Sequence, residues 1–449
     1  MNYQVSQHID NNKVFIVQRS EIEGRLEPEF YRPSIADLEK IIRGKSSHKL
    51  RDYALSVSGG ATPKKTEGDK YYADKETGVP FLRVQNLNTD GTLSFDDCLY
   101  INKETHEGML SRSQVSEGDL LVKITGVGRM AIASVAPEGF VGNTNQHMVV
   151  VKTGNTEISK YLARYLNLDI IEKIASRHST GGTRPALDYP SVKNLPIIEG
   201  IDFSPIDRAI ELKKQKEIEA QKLLNSIDTY ILNELGITIP EIDASLENRL
   251  FFTSFKDVTG NRLDPYYKLY FSSNYRSVKY DSFRLGSITN ICKGTALTSK
   301  DIIPGNIPVI AGGKSSPYSH NEANFDGNVI TVSASGAYAG YVWYHQNSIF
   351  ATDCSVISSK DESLVLTSYI AEVLKSIQSI IYRLQVGAAQ PHVYPSDLMN
   401  IYIPSIPISQ QKTIVNKALS IRDVAKKIIE EGNSILENAK KEVEQMILG

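Results

Sequence analysis

Two distant stretches of this sequence carry one pattern: GRLEPEFY at residues 24–31 and NRLDPYYK at 261–268. The blocks downstream of each keep the same order. LSVSGGATPKK (55–65) corresponds to ITNICKGTALTSK (288–300), VPFLRVQNL (79–87) to IPVIAGGKS (307–315), and GDLLVKITG (118–126) to GNVITVSASG (327–336). GNTNQHMVVV (142–151) then matches FATDCSVISS (350–359), and GGTRPALDYPSVKNLPI (181–197) matches GAAQPHVYPSDLMNIYI (387–403). A repeat with a period above roughly 200 residues is a tandem of two domains and not a solenoid of small units. The length of 449 residues agrees, since one domain typically takes ~150 residues.

Within each copy, short β-type runs bounded by Gly, Pro and Asn predict a mixed α/β domain with an irregular sheet. Residues 158–178 and 364–384 are its clearest helices. Each copy then ends in a long helix. Residues 206–235 hold neither Gly nor Pro, and Gly236 followed by Pro240 supplies the stop. After Pro407 a second run reaches residue 449, in which Ile414, Ile421, Ile428 and Ile435 recur every seven residues beside Ala418, Ala425, Gly432, Ala439 and Met446. A heptad with one line of small residues predicts two helices packed closely along their length. Ala220, Leu224, Ile227 and Ile231 supply the facing lines on the first helix. The competing arrangement lays each helix on its own domain, and Gly432 is a point at which the second could divide.

The expected fold class is therefore α/β, with two tandem mixed α/β domains at 1–203 and 239–406. Helical spacers at 204–238 and 407–449 are expected to pack as an antiparallel coiled coil, giving pseudo-two-fold symmetry.

Composition narrows the function. No stretch approaches the ~18 consecutive apolar residues of a membrane span, and MNYQVSQHID lacks the start of a signal peptide, so a cytoplasmic protein is expected. Cys98, Cys292 and Cys354 are too scattered for a disulfide framework or a zinc site. DPYY at 264–267 resembles the base-gripping loop of amino-methyltransferases, but the second Pro is missing, EPEF repeats the same pattern, and no FxGxG nucleoside loop accompanies it. GGKSS at 312–316 has Pro308 where a phosphate loop needs its first Gly. None of the eight His residues forms an HExxH pair or accompanies a GxSxG serine. A non-catalytic binding protein is expected, with no metal and no cofactor of its own.

The two-copy layout, the RL[ED]P pattern, VPFLRVQNL, the TNQ segment at 144–146 and above all GAAQPHVYPSDLMNIYIPSIPISQQKTIV resemble the DNA-specificity (S) subunit of type I restriction-modification systems. The resemblance covers essentially the whole chain. It implies two target-recognition domains that read the halves of a split double-stranded DNA site, with the helices fixing their spacing and docking methyltransferase subunits. Those partners would carry S-adenosylmethionine, and a restriction motor-nuclease subunit would carry ATP hydrolysis. The central helix departs from the family by lacking its IPxPPxxEQ opening. A coiled-coil adaptor that reads no DNA, a specificity subunit of a type IIB/IIG-like system, and a methyltransferase with degenerate motifs are the competing readings.

Charge gives no general attraction to DNA: residues 51–200 hold 17 Lys+Arg against 18 Asp+Glu, and residues 285–405 hold 6 against 8. Reading therefore falls to local clusters. In the first copy these are Lys64, Lys65, Arg83, Gln85, Asn86, Lys123, Arg129, Asn145, Gln146 and Arg184. The second copy offers Lys293, Lys300, Lys314, Ser315, Ser335, Tyr338, Gln390 and His392. Arg grips guanine, and Asn or Gln adenine, through paired hydrogen bonds in the major groove. Arg83 and Gln85 would share one face if their strand continued through them, with the LNTDG turn exposing them. For each residue a solvated-loop role competes with base contact, and for 144–146 so does a purely structural one.

Overall fold

A computed structural model describes residues 10–46, 48–64, 67–241, 275–387 and 390–449. The second RLDP block with its DPYY, and Lys65, lie outside the described residues. Two compact units are present, one formed by Met1–Lys216 with Glu430–Gly449 and the other by Glu217–Ile429.

In the first unit the strands are β1 (Ser56–Gly59), β2 (Val79–Leu82), β3 (Leu99–Ile101), β4 (Gln114–Ser116), β5 (Leu120–Lys123), β6 (Ala133–Val135), β7 (Val141–Thr144) and β8 (Met148–Lys152). They form two four-stranded sheets, in the orders β1-β8-β5-β6 and β3-β2-β7-β4. LLVK of β5 and MVVVK of β8 are apolar almost throughout because both faces of the first sheet are covered. Leu120, Val122, Val149 and Val151 share a core with helices α2 (Thr156–Leu166) and α3 (Asp169–His178), which follow α1 (Pro33–Lys45) in the chain. Leu121, Met148 and Val150 point the other way, onto Leu82 and Val115 of the second sheet. The period-two alternation of a strand sorts the side chains between these two cores.

The helix expected over 158–178 is two helices. At the break, Asn167 Nδ2 donates to Ala133 O (2.7 Å) and its Oδ1 accepts from Ala133 N (3.1 Å), so an amide side chain knits the junction to β6.

The second unit repeats this plan with β9 (Thr289–Lys293), β10 (Ile307–Ile310), β11 (Ser319–His320), β12 (Val329–Ser333), β13 (Val342–His345), β14 (Phe350–Ala351) and β15 (Cys354–Ser359). Its sheets run β9-β15-β12-β13 and β11-β10-β14, so the matched blocks that form these strands occupy the same place in both copies. Each second sheet contains one parallel pair: Phe81 faces Asn143 in the first copy and Val309 faces Phe350 in the second. Among the described residues the second copy has no counterpart of β4. Two-stranded ribbons, His48–Lys49 with Pro196–Ile197 and Ser282–Arg284 with Tyr402–Pro404, close the respective copies. The segment expected to be helical over 364–384 comprises Thr367–Ser376 and Gln378–Tyr382.

The long helices are α4 (Ser204–Leu235) and, after those two short helices numbered α5 and α6, α7 (Ile408–Leu448). Gly236, at φ +63°, ends α4 while Ile237 N reaches back to Leu232 O (2.8 Å). In the first unit Ile206 and Ala209 of α4 share a core with Leu436, Ala439, Val443 and Ile447 of α7, and Lys216 pairs with Glu431 at 2.8 Å. In the second unit Ile227, Ile231 and Leu235 share a core with Ile414 and Ala418, with Leu224 and Ile421 against it. The first half of α4 thus meets the second half of α7, and the second half of α4 meets the first half of α7, which is antiparallel pairing.

Three details correct the expected seam. Ala220, Ile227, Ile231, Ile414, Ala418 and Ala425 are buried, but Ile428 and Ile435 are only half-buried and Met446 is 55% exposed. Beyond Gly432 the buried line moves to Leu436, Ala439, Val443 and Ile447, because a straight helix of 3.6 residues per turn drifts ~20° per heptad. Gly432 also does not divide α7. A Cβ there would sit 3.4 Å from Lys213 Cα, so the missing side chain lets the two helices approach closely.

Candidate nucleic-acid interface

At one end of each first sheet, four loops meet in the same way in both copies. The turn after β1 brings Gly60 against the turn after β7, and a Cβ on Gly60 would lie 1.7 Å from Thr144 O. In the second copy a Cβ on Gly294 would lie 2.1 Å from Thr352 O. Only glycine allows either approach. The loop after β5 then docks on the loop after α3: Gly126 N donates to Pro185 O at 3.0 Å, as Gly336 N does to Pro391 O at 3.0 Å. Thr180 and Ala186 exchange two 2.8 Å backbone bonds, and Val386 and His392 exchange bonds of 2.9 and 2.8 Å. Arg184 and Gln390 consequently occupy the same place on the same hairpin, one residue before its proline.

In the first copy this arrangement brings Gln146, Arg184 and the 60–64 loop together. Gln146 Oε1 accepts from Thr62 Oγ1, and Gln146 Nε2 stands 3.4 Å from His147 Nε2. Burial and the nearby Arg184 charge both lower the pKa of His147. Arg184 and Gln146 are exposed, and Lys64 extends into solvent with Glu67 3.9 Å away.

The remaining expected residues of this copy sit elsewhere or are already engaged. Strand β2 stops at Leu82, and Val84–Asn86 form a 3-10 turn, so Arg83 and Gln85 do not share a strand face. Asn86 is 1% exposed; its Oδ1 accepts from Arg83 N (2.7 Å) and its Nδ2 donates to Ser94 O (2.9 Å). With both ends used inside the turn, it has no free edge for a base. Arg83 donates to Asp97 O at 2.6 Å. Asp90, in the LNTDG turn, pairs with Lys213 of α4 at 2.6 Å, so the turn leans on the long helix. Gln85 remains exposed.

Lys123 is buried, with its ammonium donating to Val127 O at 2.8 Å, and burial lowers its pKa. Arg129 bonds Asp169 and donates to Asn167 O (2.6 Å), tying the loop after β5 to the start of α3. Asn145 is buried and accepts from His147 N at 3.1 Å, which shapes the turn. These three hold loops; they do not face outward.

In the second copy Lys293, Asp353, His392 and Tyr394 border one cavity of about 330 Å³. The His392 and Tyr394 rings lie 18° from parallel, their centroids 6.2 Å apart. Ser335 bonds the Asp353 carboxylate. Lys314 stands over the exposed Tyr338 at 4.6 Å and near Tyr341 at 5.7 Å. Ser315, Lys300 and Gln390 are exposed. Thr62, Asp353 and Tyr394 belong to these sites without having been singled out, although YPS at 189–191 and 394–396 is a signal that the aligned copies already share.

The two ends offer hydrogen-bond donors, acceptors and cations on backbone-braced loops. Cys354 beneath the second is an inert thiol, pushed up to about 12 by burial and by Asp353. Among the described residues no group of three His, Cys, Asp or Glu is placed to hold a metal, and no helix is long and apolar enough to cross a membrane.

Comparison with known proteins finds several to which the chain is similar. Over 97 residues, 20% of the chain, it is 31% identical to S.BcgI, the specificity subunit of a type II restriction enzyme from Heyndrickxia coagulans; the match spans only 28% of that relative's length. The S subunit of a type I restriction-modification system from M. genitalium aligns over 88% of this chain and 95% of its own, with 14% identity and a TM-score of 0.40. The HsdS subunit from Thermoanaerobacter tengcongensis aligns over 89% and 95%, with 13% identity and a TM-score of 0.34. Residues 277–442 match the model of the type I restriction modification DNA specificity domain. That match takes in most of the second copy and most of α7, so this part of the chain is similar to the type I restriction modification DNA specificity domain.

Proposed function

We propose that this chain is a sequence-reading subunit that binds double-stranded DNA through one loop surface per copy, recognises a bipartite target, and directs methyltransferase subunits to it. One observation carries the reading: the same braced scaffold presents different polar tips. Gly126 to Pro185 and Gly336 to Pro391 are the same contact, yet the adjoining exposed residue is Arg184 in one copy and Gln390 in the other. A scaffold that stays fixed while its tips vary suits two half-sites of different sequence. The specificity-domain match speaks against an adaptor that reads no DNA.

In this reading the chain catalyses nothing. S-adenosylmethionine belongs to the methyltransferase partner, and ATP to a restriction subunit where the system has one. The near-neutral charge of both copies implies that partners supply much of the phosphate neutralisation. The test is an exchange of residues 50–200 for the same region of a relative, read by methylome sequencing. One half of the methylated motif should change and the other persist. A swap that altered both halves, or neither, would overturn the assignment of one half-site to each copy.

A further inference from the structure

The RLEPEF stretch has no part in the proposed reading surface, yet it touches the root of one reading loop. Arg25 Nη1 and Nη2 donate to the carbonyls of His178 (3.4 Å) and Ser179 (2.8 Å), the residues at which α3 ends and the 179–188 loop begins. Arg177 Nε donates back to Phe30 O at 2.6 Å. The Phe30 ring is buried, with the Arg25 and Arg177 guanidinium carbons 4.6 and 4.3 Å from its centroid. Tyr31 Oη donates to Arg25 O (2.8 Å) and accepts from Glu23 N (2.9 Å), fixing the strap on itself.

The loop's first residues have little packing behind them. Ser179, Thr180, Gly181 and Gly182 border a cavity of about 620 Å³ that Glu27 and Glu29 also line. Their placement therefore depends on bonds at a few points. At the far end of the loop Asp188 accepts from Ser191 N (2.7 Å) and caps the next short helix. Its carboxyl is held below the usual range by those Ser191 bonds and, in smaller part, by the charges of Arg25 and His178. Arg25 thus bonds the entry of the loop and bears electrostatically on its exit.

We infer that Arg25 and Phe30 form a clasp that sets the position of the 179–188 loop, making Arg25 a positioning residue for base selection by the first copy. The inference rests on the reading proposed above for Arg184. Loss of the clasp lets the hairpin tip shift while its own Thr180–Ala186 bonds stay intact. The tip then accepts bases that it otherwise rejects.

The test uses the full-length chain in its methyltransferase complex, a duplex library randomised across the target, and hydrogen exchange on the same samples. Arg184→Ala serves as the tip control and Arg25→Lys as the conservative variant. Arg25→Ala should lower discrimination about tenfold at the positions that Arg184→Ala affects, leaving the other half-site unchanged. Exchange across 179–188 should rise while α3 stays protected, and Arg25→Lys should fall between the two. If Arg184→Ala changes base preference and Arg25→Ala does not, the clasp is wrong and the reading role stands. If neither changes base preference, the loop is not a reader and the inference falls with it. Should Arg25→Ala unfold α3, Arg25→Lys decides: unchanged discrimination with a folded α3 overturns the clasp.

Discussion

Glu39 offers the sharpest quantitative test of the first copy. It lies on α1, 3% exposed, and faces three cationic or protonatable groups. Arg177 Nη1 bonds one carboxylate oxygen, His178 Nε2 lies 2.8 and 3.0 Å from the two, and Arg43 Nε donates at 2.7 Å. Burial pushes this carboxyl up, but the bonds and charges of His178, Arg177 and Arg43 win and bring it down from 4.5 to about 2. That displacement corresponds to about 3 kcal/mol favouring the folded, ionised form. Because the folded value is depressed, the contribution is complete above the unfolded value of 4.5 and disappears as pH falls toward 2. Glu39→Gln keeps the shape and removes the charge, so it should cost about 3 kcal/mol at neutral pH, with the gap from the parent closing as pH falls below 4.5. Two compact units make a single unfolding free energy ill-defined. Hydrogen exchange of α1 and α3, with α5 as the internal reference, is therefore the proper readout. A loss independent of pH, or equal deprotection of α5, would refute the charge argument.

Asn86→Ala should destabilise the 3-10 turn by ~1–3 kcal/mol, seen as faster exchange over 83–94, because two half-buried backbone groups lose their bonds. Gln85→Ala, at an exposed neighbour, should leave exchange alone. Lys64→Ala should weaken all sequences alike and reduce the slope of affinity against salt by about one, with base preference unchanged; a changed motif would make Lys64 a base reader. Ala418→Glu places a charge at a fully buried seam position and should deprotect both α7 and the second copy's core in hydrogen exchange. Gly432→Leu should lower the melting temperature of the first unit by forcing α7 away from Lys213, and an unchanged melting temperature would show that the close approach is not required.

The layout was legible because it is written twice. Matched blocks fixed which strands correspond, and apolar runs such as LLVK and MVVVK marked sheet centres without their order. The break at Asn167 was hidden because it depends on Ala133, an edge-strand partner 34 residues away. The seam was readable in type but not in line, since the heptad in the sequence and the 3.6-residue turn of the helix diverge after Gly432. At the candidate interface the loops could be named from their glycines and polar residues, whereas the duty of each side chain could not. Arg129 and Arg184 look alike in a loop; what separates them is Asp169, which engages the first and leaves the second exposed. Asn86 escaped for a local reason, that an amide three residues after an extended position can close on the backbone itself.

The first compact unit is assembled from two separated stretches of chain, and this sets an order of events during synthesis. Leu436, Ala439, Val443 and Ile447 fill a groove alongside Ile206 and Ala209, and Lys45 donates to the carbonyls of Ile447 (2.6 Å) and Leu448 (3.0 Å). The second unit is one continuous stretch, 217–429, and has all its residues before the first has its own. The order in which the two units become complete is thereby the reverse of the order in which they begin. Until residues 430–449 emerge, the earlier-made copy waits with apolar side chains uncovered. A nonsense codon near position 430 would do its damage far from its own place in the sequence, uncovering the core of the copy translated first and leaving the residues of the second unit complete.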